Sequence, residues 1–216
     1  MRRSYLLKAF IYSVFILAIG FATTSAVGIA EEEPAKETQS EEKVVTDQNQ
    51  ASDMEIWKEY ATPNENHKVL DAFVGNWDYT VKWWSSPNSE PGISKGTSEV
   101  KWIMDGRFLE KTAHGTSMDQ PFEGMGISGY DNARKEYVSV WIDNMGTGVM
   151  VSSGKYDAST KTFEEKGKFT QPKMGETTFR GVTKIINDDN FVYELYTKDK
   201  DSQEYKALEI EYTIKK

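Results

Sequence analysis

From Asn76 to the C-terminus of this 216-residue chain, apolar and polar positions alternate with a period of two, and Gly, Asp, Asn and Pro interrupt the runs. Such alternation marks strands with one buried and one wet face. It predicts strands at 76–84, 95–104, 107–117, 121–130, 136–143, 147–156, 162–170, 177–187, 190–198 and 204–214. Connections this short make successive strands antiparallel neighbours. Asp105-Gly106 is the sharpest hairpin signal, and Asp188-Asp189 and the DKDSQ segment mark two more. GYDNARKEYV (129–138) and KYDASTKTFE (155–164) repeat one pattern of Tyr-Asp, three turn residues, Lys, one residue and an aromatic. The repeat casts Asp131 and Asp157 as turn formers rather than catalysts.

Ahead of the strands the period changes. DMEIWKEY, from Asp53, can form two helical turns, and Thr62, Pro63 and Glu65 supply an N-cap, a first-turn proline and a capping-box acid. Val69, Leu70, Phe73 and Val74 fall on one face of the helix that follows, with Gly75 placed to end it and His67 a polar, at most partly packed, member. Ten meandering antiparallel strands behind a capped helix close most economically into a barrel, because closure removes exposed edges. The expected fold is therefore all-β, an antiparallel up-and-down barrel of about ten strands with a short N-terminal helical segment. A barrel of that size has an interior larger than side chains alone fill.

Residues 1–30 read as a signal peptide: a basic start (MRRSYLLK), an apolar run from Ala9 to Ala22, and small residues before EEE. Cleavage after Ala30 or Ala26 is expected, with Thr23, Thr24 and Ser25 interrupting the apolar run. The alternative is an uncleaved N-terminal membrane anchor, since Ala9 to Ala30 carries no charge. Residues 31–52 hold seven acidic and two basic residues and no aromatic, the composition of a disordered acidic linker. The barrel domain then spans 53–216. These readings imply an exported protein, periplasmic or secreted, touching membrane only through an uncleaved leader.

Composition narrows the chemistry. With no Cys there is no thiolate nucleophile, disulfide or cysteine metal site, and two His are too few for a typical zinc site unaided. The net charge of −8, which falls to −11 if Arg2, Arg3 and Lys8 leave with the leader, excludes nucleic acid as a favourable partner. No metal and no cofactor is expected. Glycines 124, 126 and 129 precede strands rather than a helix, so they form no phosphate loop and instead admit a close neighbour. His114 with Ser117 lacks evident oxyanion donors, and His114 as a haem ligand has no support in the pattern.

Six Trp, eleven Tyr and ten Phe are a large aromatic complement. Trp77, Tyr79, Val81 and Trp83 share one strand face, Val100, Trp102 and Met104 another, and Trp141 and Phe179 can face the same interior. Such stripes serve either a packed core or a ligand cavity. Arg107, Glu110, Glu123, Asp143 and Arg180 form a polar set whose inward members must pair, for example Arg107 or Arg180 with Asp143 or Glu123. Paired, they make either a bridge across the barrel or anchors for a ligand head group. The candidate ligand-binding residues are thus Trp77, Tyr79, Trp83, Trp102, Arg107, Glu123, Trp141, Asp143 and Arg180.

Gly75-Asn76-Trp77 resembles the Gly-x-Trp signature of lipocalin-like (calycin) barrels, in which the Trp plugs the barrel floor. HKVLDAFVGNWD, KGTSEVKWIMDGRFLE, PFEGMGISGYDNARKEYVSVWID and the KYDASTKTF hairpin together resemble the bacterial domain-of-unknown-function family numbered 1579. That likeness runs from about Trp57 to Lys215 and includes His67, Trp77, Trp102, Gly106, Arg107, Phe122, Glu123, Gly124, Gly126, Tyr130, Asp131, Trp141 and Asp143. It implies a lipocalin-like barrel and carries no catalytic assignment. The expected function is non-catalytic binding of a small, largely apolar molecule inside an exported barrel. The alternatives are an envelope enzyme using carboxylate acid-base chemistry through Asp143 and Glu123, or a structural, partner-binding module presenting its outer face around Trp84.

Overall fold

The alternating pattern folds as ten strands, each of whose ends lies within three residues of its expected place: β1 Gly75–Trp83, β2 Gly92–Ile103, β3 Phe108–Ser117, β4 Gln120–Asp131, β5 Glu136–Asp143, β6 Met150–Asp157, β7 Thr162–Gln171, β8 Gly175–Asn187, β9 Asn190–Lys198 and β10 Glu204–Ile214. This computed structural model describes residues 52–172 and 175–216. The expected leader, and all but the last residue of the expected linker, lie outside the described residues. All neighbours pair antiparallel, and β1 pairs with β10, closing the barrel in sequence order. Closure leaves no strand edge unpaired.

The repeated hairpins share one construction. Asp131 Oδ1 accepts the N–H groups of Ala133 and Arg134 at 2.9 and 3.1 Å, and Asp157 Oδ1 accepts that of Ser159 at 2.8 Å. Each loop ends on a lysine in the left-handed region, Lys135 at φ 54° and Lys161 at φ 53°. The Asp105-Gly106 hairpin is wider than a two-residue turn. Met104, Asp105 and Gly106 all have positive φ, so Met104 leaves the β2 face it was expected to share with Trp102 and projects into solvent.

Two helices precede the barrel, and their boundary differs from the expectation. Helix α1 covers residues 52–61, where Thr62 Oγ1 donates to the Lys58 carbonyl at 2.6 Å. Asn132 Nδ2, from the β4–β5 loop, donates to the carbonyls of Glu59, Tyr60 and Thr62 at the helix end, where carbonyls run short of intrahelical partners. Thr62 is therefore spent on α1, and Asn64 caps α2 (Glu65–Lys68) by accepting from the Asn66 N–H at 2.9 Å. His67 completes the capping box by accepting the Asn64 N–H on Nδ1 at 3.1 Å, and it is buried rather than exposed. The chain then tightens into a 3-10 helix, Val69–Phe73. Its Leu70 is buried and Val69 and Phe73 pack on the core, whereas Val74 points away.

These helical turns sit on one end of the barrel and seal it. Trp77 is the most deeply buried large side chain, 1% exposed, and its Nε1 donates to the Phe73 carbonyl at 2.9 Å. Phe191 packs edge-on to Trp77 and Phe73 and stacks on Tyr212 at a centroid distance of 4.2 Å. Phe163 joins Phe73, Tyr137 and Tyr156 from the other side. The result is a floor of interlocked aromatic rings. Outside, the wall around β1, β8, β9 and β10 carries ion pairs such as Lys82–Glu209 and Arg180–Glu204.

Candidate ligand cavity

Above that floor the interior is not filled. A cavity of about 460 Å³ lies within the barrel, its apolar lining including Val81, Leu109, Phe122, Phe179, Leu208 and Ile210. The volume falls in the range of small-molecule sites. Its origin is an unequal distribution of side-chain size around the wall. Tyr79, Tyr193, Leu195 and Tyr212 project from β1, β9 and β10, while Ser98, Ala113, Gly124, Gly126, Ser139 and Ser152 occupy inward positions of β2 to β6.

Two cross-strand rows show how the small residues act. Lys111, Gly126 and Trp141 are direct partners across β3, β4 and β5, and Ala113, Gly124 and Asp143 form the next row. The Trp141 indole lies flat over the two glycines. A methyl group at Gly124 would sit 2.3 Å from Trp141 Cζ2, and one at Gly126 2.9 Å from Cε3. The glycines recess the indole into the wall, and the gap at Gly126 brings Lys111 Nζ to 5.6 Å from the Trp141 ring centroid.

A belt of polar groups borders the same cavity. Glu165 on β7 accepts from Ser152 at 2.8 Å and more distantly from Ser139 at 3.4 Å on one oxygen, and from the Tyr193 hydroxyl at 3.2 Å on the other. Lys111 on β3 donates to the Tyr212 hydroxyl at 2.5 Å and stands over that ring at 4.3 Å from its centroid. Lys111 is enclosed by protein, yet it keeps accessible surface because it faces the cavity. Burial pulls its ammonium down to about 8, with the Glu165 charge opposing the shift. The same burial raises the Tyr79 and Tyr212 hydroxyls, Tyr79 to about 12, and raises Tyr193, where the Glu165 charge adds to the effect. A charge held this way without a carboxylate partner costs several kcal/mol. The Tyr79 hydroxyl is buried without a hydrogen-bond partner, its ring end lying over the paired Gly96 and Gly115.

The structure divides the residues singled out from sequence. Tyr79, Trp83, Trp141 and Asp143 line the cavity. Asp143 accepts from Trp141 Nε1 at 2.9 Å and from the Met145 N–H at 3.0 Å, so it fixes the indole and the turn after β5. Trp77 is consumed by the floor, and Trp102 Nε1 donates to Asp71 at 2.7 Å, tying β2 to the 3-10 helix. Arg107, Glu123 and Arg180 do not reach the interior. Arg107 bonds the Met104 carbonyl in its own hairpin, Glu123 lies exposed on the outer face of β4, and Arg180 pairs with Glu204 at 2.7 Å while covering the Tyr196 ring. Glu110 is also outside, paired with Lys101. The inward pairs expected between Arg107 or Arg180 and Asp143 or Glu123 therefore do not form, because strand parity sends Glu123 and Arg180 out and Arg107 lies in the turn before β3, bonded to its own hairpin. Glu123 and Asp143 face different spaces, and His114 is exposed beside Glu123 on the outer wall. Trp84 is half-buried, with Lys206 Nζ 5.5 Å from its ring centroid.

Lys111, Glu165, Tyr193, Tyr212, Ser139 and Ser152 were not singled out. Counting by twos from Leu109 to Ala113 puts Lys111 on the inner face, and Phe163 to Gly167 does the same for Glu165. Among the described residues no cluster of three or more His, Cys, Asp and Glu side chains is placed to hold a metal ion.

Residues 62–213 match the family described as Protein of unknown function (DUF1579), and the chain belongs to that family. The crystal structure of Rv2717c from M. tuberculosis superimposes with a TM-score of 0.54 at 13% identity, covering 72% of this chain and 100% of that one. The likeness is one of fold. A redesigned beta barrel, b11L5F_LGL, gives a TM-score of 0.37 at 13% identity over 68% of this chain and 96% of its own. EF1p2_mFAP2b bound to DFHBI gives 0.38 at 14% identity over 69% and 98%. No curated protein matches the sequence.

Proposed function

Taking a DUF1579 barrel as the premise, we propose that the protein is an exported carrier that binds one small, largely apolar molecule inside the barrel without chemically changing it. The observation that carries this reading is the internal cavity of about 460 Å³ above a sealed aromatic floor. A barrel needing only a core would fill that volume, since an unfilled apolar space of this size is destabilising. Trp83, Phe122 and Leu208 supply apolar contact, and the belt through Lys111 and Glu165 supplies orientation. Export is proposed from the leader-like residues 1–30.

Native mass spectrometry of the protein purified from its own host tests the retained-ligand part directly: an extra mass of small-molecule size supports it. In solution, the uncharged dye N-phenyl-1-naphthylamine should bind with one-to-one stoichiometry and brighten. Filling the wall with Ala113→Leu or, separately, Thr183→Phe should abolish that signal while circular dichroism and melting stay cooperative. Dye binding that neither substitution weakens places the site elsewhere and defeats the reading.

A further inference from the structure

Three charged groups border the cavity, Lys111, Glu165 and Asp143, and they are not equally satisfied; Asp143 accepts from Trp141 Nε1 and the Met145 N–H. Glu165 has a hydroxyl donor on each carboxylate oxygen. Lys111 has three N–H groups and donates to a single acceptor, the Tyr212 hydroxyl. Among the described residues it takes part in no ion pair within 4.0 Å; the faces of Tyr212 and Trp141 lie beside it, and the Glu165 charge acts on it from beyond that distance. The Tyr212 hydroxyl accepts from Lys111 and retains its own proton to donate. A cation and a hydroxyl, both facing the cavity wall left open by Gly126, thus have donor capacity that the protein does not use.

We propose that Lys111 and Tyr212 form the head-group site of the cavity, and that its ligand is an apolar organic acid whose carboxylate supplies the partner Lys111 lacks. The acid lies with its head at the polar belt and its hydrocarbon body among Val81, Phe122, Leu208 and Ile210. A charge-assisted hydrogen bond in a low-dielectric protein interior is stronger than its counterpart at the surface. A neutral ligand of equal length leaves the ammonium as it was, and a cationic one adds like-charge repulsion. This assignment rests on the cavity reading above and adds a sign to it: the site discriminates by charge, acid over alcohol over amine.

Displacement of N-phenyl-1-naphthylamine by decanoate, decanol and decylamine, three probes with one chain length, separates the two readings. Wild-type protein should be emptied of dye by decanoate at a concentration at least tenfold below that of decanol, with decylamine weakest. Lys111→Met should keep its affinity for decanol and lose at least tenfold for decanoate. Tyr212→Phe, which keeps the ring on Phe191, should cost decanoate a few-fold and leave decanol alone. Decanol equal to or better than decanoate in the wild type, or an acid preference that survives Lys111→Met, overturns the assignment while leaving the cavity reading intact. So does dye that binds but yields to none of the three. Failure of the dye itself to bind removes the cavity reading.

Discussion

The two ends of this barrel are built from the same ten strands and do opposite things with them. At the end covered by the 3-10 helix, Trp77, Phe73, Phe163, Phe191 and Tyr212 interlock at ring separations of 4.2 to 5.4 Å. Above it β3 to β6 carry Ala113, Gly124, Gly126, Ser139 and Ser152 inward, and the space they leave is a cavity. The difference teaches where stability and function are separated. Rings that touch rings gain dispersion and burial, whereas small side chains on a closed wall give up both to keep a volume open.

The sharpest way to break the comparison is to truncate one Trp at each end. Trp77→Ala should cost about 3–5 kcal/mol in urea unfolding, as for other large core truncations. Trp83→Ala, at the cavity, should cost less than about 1 kcal/mol, because its ring is only partly buried. Similar losses at both ends would mean that the cavity end is as tightly packed as the floor.

Next in size is the pH dependence set by Lys111. Its folded value of about 8 lies below the ordinary 10.5, so the unfolded chain holds the proton while the folded one has released it. Stability therefore rises with pH between about 8 and 10, by roughly 3 kcal/mol. Lys111 faces Tyr212, Trp141 and the Glu165 charge. Above pH 10 the tyrosines reverse the trend: Tyr79, Tyr137, Tyr193 and Tyr212 are all raised, so the unfolded chain loses their protons first. Urea titrations at stepped pH should show this maximum, and Lys111→Met should flatten its rising side.

Smaller effects sharpen the picture locally. Gly124→Ala forces a methyl into the Trp141 indole and should cost about 1–3 kcal/mol, with a shift in tryptophan emission as the ring leaves its recess. Asn64→Ala removes the α2 cap and should cost about 1 kcal/mol in thermal unfolding. The neighbouring His67 is lowered by burial, with the Arg107 charge acting in the same direction. Its contribution is present above 6.5 and lost as pH falls toward the lower folded value, so the unfolding free energy should fall more steeply with acidification below pH 6.5 in the wild type than in His67→Gln.

Much of the architecture was legible because it repeats. A period of two sustained across ten runs locates strands wherever they pack, and Asp131 and Asp157 mark their hairpins by bonds to residues two or three positions on. Helix starts were less legible. Thr62 and Asn64 are both sound caps, and the choice between them was made by Asn132, 70 and 68 positions away, reaching the end of α1. The site was legible only in its aromatic part. Tyr79, Trp83 and Trp141 border the cavity, but Lys111 and Glu165 stand among many charges in the sequence, of which Lys101 and Glu110 lie on the outer wall.

The sequence by itself determined the strands, their antiparallel order, the closed barrel and the DUF1579 kinship, since these follow from local periodicity, turn chemistry and motif. Only the tertiary structure decided which aromatics fill the floor and which border open space. It also decided that Arg107, Glu123 and Arg180 point outward while Lys111 and Glu165 share the interior. The physical reason is that alternation says that one strand face is buried but not which of its residues meet across the closed barrel. One residue of register separates a solvated charge from a buried one, and only the barrel as a whole sets that register.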